Sequence, residues 1–426
     1  MFRTKTTIIP WFMAILLLLG LSYITTRMFK DSLPPSHMQQ PYKMQNSIPA
    51  EAKNSTREEM KKATKTCIPR RKYVFIAPHK VGTSTTSTIF RRYARSHELA
   101  MLIPKEGIIL SWATSPAEED YIHTPDEQYD ALFNHFTYNK TWLRSKFPDS
   151  TAYISIIREP SKQLRSFMKY YSLPQLLKIK STNPLKTFLE NPWKYKKQSE
   201  AYFQHCNVIF DPTRNFMSFD LGYPAEGAED EERARRYISE LEADFTLIML
   251  LEYLDESLLL LRRLMCWELE DIIYVTNNNR SYSYKEYVPS KKELTELRQW
   301  KAVDYLLYDT FNKSLWQKIT AQGPDFFEEL HFFKEGKNRV NKYCRELKKG
   351  EPNFKLAASK WNPQFEINNQ FCHAIRLKGG GFLKPMQEGH ESGRRKILAI
   401  RHNLRALTKG QQTFKYVRDM MAKKRQ

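Results

Sequence analysis

Five cysteines in 426 residues are too few for a disulfide scaffold, and none of them (Cys67, Cys206, Cys266, Cys344, Cys372) stands in a C-x-x-C pair. That spacing argues against a zinc ribbon or finger; one or two bridges with an odd thiol left over fit an oxidising compartment. The phosphate-loop pattern G-x-x-x-x-G-K-[S/T] is also missing, which disfavours a nucleotide kinase or hydrolase of that type. No internal repeat and no metal-ligand cluster is visible, so no obligatory metal is expected. Acidic residues are in deficit: 68 Lys and Arg face 47 Asp and Glu, a formal charge of +21. Between Arg345 and Gln426 there are 19 basic residues against six acidic ones. A nucleic-acid reading therefore rests mainly on this tail, and without finger spacing or an RNP-type aromatic motif no nucleic-acid partner is expected. The tail reads as a solvated basic face, with a role on an anionic membrane surface as the alternative.

Long apolar runs are equally scarce, and the one present is informative. Ile8 to Ile24 is uncharged and mostly apolar, flanked by Arg3 and Lys5 before it and Arg27 and Lys30 after it. It is near the short limit for a membrane span. The run lacks an Ala-x-Ala-like cleavage site, so an uncleaved signal-anchor is preferred to a cleaved signal peptide. Asp31 to Lys65 is polar and contains Pro34, Pro35, Pro41 and Pro49, the composition of a flexible stem. Four sequons, at Asn54, Asn139, Asn279 and Asn312, agree with a lumenal domain. The expected organisation is a cytoplasmic tail over 1–7, an anchor over 8–26, a stem over 27–70, a catalytic domain over 71–344 and a basic extension over 345–426.

With 41% hydrophobic residues the chain can bury a real core. Tyr73 to Ala77 is a β-favouring run, followed by the loop Pro78-His-Lys-Val-Gly-Thr83 and a helical pattern from Ser84 to about His97. Ala152 to Ile157 is a second such strand, followed by Arg158-Glu-Pro160 and a helix from Ser161 to about Tyr171. A third run, Phe245 to Leu251, leads into a helix from Asp255 to Met265. Strands alternating with helices predict an α/β fold with a central parallel sheet.

The first strand-to-helix loop is the best site signal, because such a loop aims backbone N–H groups and a helix dipole at one point. Gly82 permits close backbone approach, Lys80 brings a charge, and Thr83, Ser84 and Thr85 bring hydroxyls: a cradle for phosphate or sulfonate, or simply a capped helix behind a turn. At the second junction Arg158 can grip a phosphate bidentately and Ser166 can complete that grip, unless Arg158 merely pairs with Glu159. Two phosphate-type loops at the carboxyl ends of strands in one sheet are what a nucleotide charged at both ends requires. Trp267, Trp300 and Trp316 read as core.

The run YVFIAPHKVGTSTTSTIFRRYARSHEL resembles the opening of the galactose-3-O-sulfotransferase family. The likeness continues through SIIREPSKQLRSFMKYY, NFMSFDLGY, DFTLIMLLEYLDESLLLLRRLMCWELEDIIY and LYDTFNKSLWQKI, covering roughly Tyr73 to Cys344. It implies a P-loop-like sulfotransferase fold with an N-terminal anchor in the Golgi membrane, single-pass type II, the catalytic domain lumenal. It implies 3'-phosphoadenosine 5'-phosphosulfate (PAPS) as sulfuryl donor, with Lys80, Gly82, Thr83, Ser84 and Thr85 at the 5'-phosphosulfate and Arg158 and Ser166 at the 3'-phosphate. The implied acceptor is the 3-hydroxyl of a terminal galactose on galactosylceramide, a related glycolipid or a glycoprotein glycan. A catalytically silent glycan-binding protein on the same scaffold is the competing class, and a homodimer is left open. Lys80 would stabilise the departing oxygen. The base that the acceptor hydroxyl needs would be His135, in Leu132-Phe-Asn-His-Phe136, with His79 the other candidate or an orienting group. Two positions depart from the family pattern: Pro78 stands where Thr is usual, and Glu159 where Asp is usual.

Overall fold

In the parallel sheet that organises the chain, β1 (Tyr73–Ile76) lies between β2 (Ala131–Leu132) and β3 (Ala152–Ile157), and β4 (Leu247–Leu250) follows β3. Tyr73 sits opposite both Ala131 and Ala152, and Ile154 opposite Leu247, with every pair parallel. All residues of β1 and β4 are buried, as strands covered on both faces must be. The computed structural model describes residues 67–398, apart from 125, 205–209, 276–281 and 349. The expected anchor over 8–26, most of the stem, Asn54, Cys206 and Asn279 lie outside the described residues, within which no helix is long and apolar enough to cross a membrane.

The helices flanking the sheet include α1 (Thr83–Ser96), α2 (Pro160–Tyr170), the short α3 (Phe216–Asp220), α4 (Glu231–Asp244) and α5 (Leu254–Met265). After them come α6 (Lys291–Trp300), α7 (Ala302–Thr320) and α8 (Asp325–Glu346). Helix α2 starts as its sequence dictates. Pro160 occupies the first turn, where its missing N–H costs nothing, and the Glu159 carboxylate accepts from the amides of Ser161 and Lys162. Aromatic stacking ties α1 to the sheet: Phe90 lies on Phe75 at 4.2 Å between centroids, and Tyr93 on Trp267 at 3.9 Å. Trp267 and Trp300 are buried and Trp316 packs against the core, as expected of them.

The described part of the segment expected to be a solvated basic extension, up to residue 398, is instead built into the domain. After α8 come a hairpin of β5 (Phe354–Leu356) and β6 (Phe365–Ile367), then α9 (Gly379–Leu398). Leu356, Ile367, Ile375, Phe382 and Leu383 join the same core as the sheet. These few apolar residues are spread over a segment rich in lysine and arginine, so the charge excess masks their pattern. A disulfide from Cys344 to Cys372 fastens the segment to α8, and a second, Cys67–Cys266, ties the chain before β1 to the end of α5 across 199 residues. Both fit the expected one or two bridges.

Sheet order also fixes where a ligand can bind. From β1 the chain runs to β2 on one side, then crosses to β3 on the other side of β1. The crevice of an open parallel sheet lies outside the carboxyl ends of its strands at such a reversal. Here that is the gap between the loop after β1 and the loop after β3.

Candidate active site

Two left-handed residues shape the loop after β1: Lys80 at φ 66° and Gly82 at φ 85°. A Cβ on Gly82 would lie 2.5 Å from Leu251 Cδ1, so glycine is required here by backbone conformation and packing. Holding a lysine at positive φ costs of order 1 kcal/mol, strain of the kind that collects at functional sites. The Thr83 hydroxyl donates to the Pro78 carbonyl at 2.7 Å and closes the loop. No side chain caps the start of α1 and its first turn carries no acid, which leaves the positive end of the helix facing the crevice.

A cleft of about 480 Å³ opens at this point, within the range of small-molecule sites. Its wall brings together His79, Lys80, Thr83, Ser84, His135, Arg158 and Ser166, residues drawn from three separate stretches of sequence. Gly82 and Thr85 do not reach the wall: Gly82 makes the turn, and Thr85 is buried one residue further into α1. Arg158 does not pair with Glu159, whose carboxylate is occupied by the start of α2 and by the Tyr305 hydroxyl. Its Nη1 instead donates weakly to the Lys80 carbonyl at 3.4 Å, joining the two loops, and its Nε is buried without a hydrogen-bond partner. Burial lowers the Arg158 pKa, opposed by nearby Glu252.

Sequence reasoning missed four further cations in the same wall: Arg91, Lys169, Lys285 and Lys378. Six basic side chains line the cleft and no Asp or Glu does. Tyr170, Tyr171 and Tyr282 add aromatic faces, and Lys80 Nζ lies 3.9 Å from the centroid of the Tyr170 ring. The loop carrying Tyr282 and Lys285 is held by Arg165, which donates to the carbonyls of Lys285 and Tyr287 at 2.6 Å each.

His79 and His135 stack with centroids 4.9 Å apart. His135 Nδ1 lies 2.8 Å from the Ala77 carbonyl, which can only accept, so Nδ1 carries the proton and Nε2 keeps its lone pair. Burial, then the charge of His79, pulls the His135 pKa down from 6.5 to about 3; the nearby Arg91 contributes in the same direction. His79 Nδ1 faces the Asp220 carboxylate at 2.9 Å, and Asp220 also accepts from the His79 amide at 2.7 Å and from Trp112 Nε1 at 2.8 Å. This is the geometry of an imidazole oriented by a buried carboxylate. Asp220 was not singled out from sequence; the signal available was a lone acid within the apolar stretch FMSFDLGY.

A buried polar chain supports the pair. Asp304 accepts from the Ser218 amide and hydroxyl at 2.8 Å each, fixing α3 and with it Asp220. Lys301, fully buried, pairs with Asp304 at 2.9 Å and reaches Gln163 at 3.3 Å, whose amide donates to the His79 carbonyl at 3.2 Å. A buried ion pair gives little net stability, but breaking one partner is costly, so the chain holds a single arrangement.

Of the sequons described, Asn139 caps the helix Lys140–Lys146 and its Nδ2 donates to the Ser115 hydroxyl at 2.7 Å. Asn312 lies inside α7, half-buried. Among the described residues no group of three or more His, Cys, Asp and Glu could hold a metal ion.

Comparison with known proteins agrees with this geometry. The family described as galactose-3-O-sulfotransferase matches residues 3–365. The chain is similar to the galactosylceramide sulfotransferase of Mus musculus, 33% identical over 266 residues, 60% of each chain. It is similar to its Homo sapiens counterpart, 30% identical over 288 residues and 65% of each chain. It also resembles galactose-3-O-sulfotransferase 3 of Mus musculus, 29% identical over 287 residues, 65% of this chain and 64% of that one. The aligned part thus spans 60–65% of the length of these relatives. Matched over most of its length by the family, and built around a cation-lined cleft at a sheet reversal, the chain belongs to the galactose-3-O-sulfotransferases.

Proposed function

We propose that this chain binds PAPS in the cleft and transfers its sulfuryl group to the 3-hydroxyl of a terminal galactose, on galactosylceramide or a related glycolipid. The observation that carries this reading is a cleft wall with cations and no carboxylate, in which Lys80 stands on the loop after β1 and Arg158 on the loop after β3. Such a wall suits a ligand with several negative charges at two ends, and the orphaned Nε of Arg158 suits an added anion. The donor supplies an activated sulfuryl group. On the protein side, the Lys80 loop and the start of α1 hold the 5' end, Arg158 and Ser166 hold the 3'-phosphate, and the tyrosines flank the base. Lys80 meets negative charge where it grows. His135 takes the proton of the acceptor hydroxyl through Nε2, with His79 and Asp220 keeping the pair in place.

Sulfation of galactose on glycoprotein glycans is the second reading, supported by the relative named for galactose rather than for a lipid. We place the domain in the Golgi lumen on a type II anchor. The apolar run near the N-terminus, the family match beginning at residue 3 and two disulfides support that placement.

A transfer assay with labelled PAPS and the full chain in detergent tests the reading. Label is expected on terminal galactose, in glycolipid above glycoprotein acceptors. A chain that binds the donor and labels no galactosyl acceptor would be a glycan-binding protein instead.

A further inference from the structure

Arg91 has no role in the donor site just described, yet it is one of the most deeply placed charges in the cleft. Its side chain is 6% exposed, its Nε has no hydrogen-bond partner, and its Nη2 donates only to the Thr88 hydroxyl at 3.1 Å. Its neighbour Arg92 is spent differently, on the carbonyls of Glu270, Asp271 and Ile273. No carboxylate pairs with Arg91 among the described residues, and burial pushes its pKa down to about 10. A buried guanidinium without a counter-charge is expensive unless an anion arrives to meet it. Helical side chains lean toward the helix start, so this guanidinium lies level with Thr88, roughly 7 Å along the axis from Thr83.

The wall beside Arg91 is completed by a segment beyond the family match, which ends at residue 365. Lys378, Gly379 and Gly380 line the cleft, and a Cβ on Gly379 would lie 3.2 Å from Arg91 Nη1. Glycine at this position lets the segment's backbone pack close against the guanidinium. The segment is held in place from several sides. Cys372 is bridged to Cys344, and Arg376 donates to the Cys344 carbonyl at 2.5 Å. Gln387 donates to the carbonyls of Pro104 and Gly107 at 2.9 Å each, and Phe382 packs edge-on against Phe133. Arg91 and Lys378 are thereby a second pair of cations in the cleft, besides the pair assigned to the donor.

Building on the sulfuryl-transfer reading, and for acceptors longer than the single neutral sugar of galactosylceramide, we propose that the cleft prefers an anionic one. A carboxylate or sulfate ester on the sugar next to the reacting galactose is received between Arg91 and Lys378. Such a group lies about one sugar from the loop after β1. It also neutralises a charge that presses on His135, since Arg91 is one of the groups disfavouring protonation of that ring.

The test uses the full chain and two galactosyl disaccharides that differ only in an acidic group on the second sugar, one arm carrying a carboxylate and another a sulfate ester. For wild type, kcat/KM is expected to favour the acidic acceptor by about tenfold or more, the worth of a charge-assisted contact. Arg91→Gln brings that ratio close to one, and Lys378→Gln, at an exposed position, lowers it several-fold. A wild-type ratio of one or less overturns the proposal, as does a ratio unchanged in both variants. A rise in donor KM alone for Arg91→Gln would move that residue to the donor site and overturn it too. If no galactosyl acceptor is sulfated, the underlying reading fails by itself. Calorimetry of the acidic and neutral disaccharides, with adenosine 3',5'-bisphosphate present, then reads the anion site independently; equal affinities would end it.

Discussion

Replacing Lys80 with alanine is expected to lower kcat by about 10²–10³, the loss seen when one preorganised electrostatic group is removed from a reaction that builds charge. The lysine sits on the strained turn between β1 and α1, next to the uncapped helix start, in the cleft proposed to hold the donor. Its ammonium lies over the Tyr170 ring, but an exposed cation–π contact is worth only about 0.5–1 kcal/mol. A hydrogen bond to a charged oxygen contributes roughly 1.5–3 kcal/mol, so the ring does not compete with a bound anion. Because the charge grows in the transition state, kcat should fall far more than donor affinity. Steady-state kinetics together with donor binding separate the two; a loss confined to donor KM would make Lys80 a binding residue only.

His135→Ala is expected to reduce kcat by about 10²–10⁴, the usual worth of a positioned base. The ring is held with Nδ1 on the Ala77 carbonyl and stays neutral down to about pH 3. Its folded-state pKa lies below the unfolded value, so the stability it carries is present above about pH 6.5 and is lost as pH falls from there toward 3. For activity, the consequence is that kcat/KM should show no acid limb from this residue between pH 4 and 8. A limb near 6 to 7 that vanishes in the variant would show a ring titrating in the ordinary range. A loss of under tenfold, with donor binding intact, would transfer the role to His79, which the Asp220 carboxylate orients.

Three of the sheet's four strands and both phosphate-type loops were legible because each is local, a short apolar run, a turn and a helix within about 25 residues; the two-residue β2 carries no such pattern. Lys80 and Arg158 could be named from that pattern, and the structure sets them on the loops after adjacent strands, lining one cleft. The other half of the site was not legible, and for a physical reason. Lys285 and Lys378 reach the cleft, and Asp220 backs His79 behind it, from segments far along the chain; no local pattern marks a side chain whose partner is 141 residues away, as Asp220 is from His79. Arg91 and Arg92 are adjacent in sequence and indistinguishable by composition; only the packing of α1 turns one toward the cleft and the other to the backbone carbonyls near Asp271. The basic tail misled for a related reason, since net charge reports what faces water and says nothing of the few apolar residues that anchor the segment.

The central claim is that one cleft holds an adenosine nucleotide by phosphates at both ends, and calorimetry on the full chain tests it most directly. Adenosine 3',5'-bisphosphate should bind at least about tenfold more tightly than adenosine 5'-phosphate and more tightly than ATP, with Arg158→Gln abolishing the preference for the 3'-phosphate. Equal affinity for the bisphosphate and the monophosphate, unchanged by that substitution, would contradict the account.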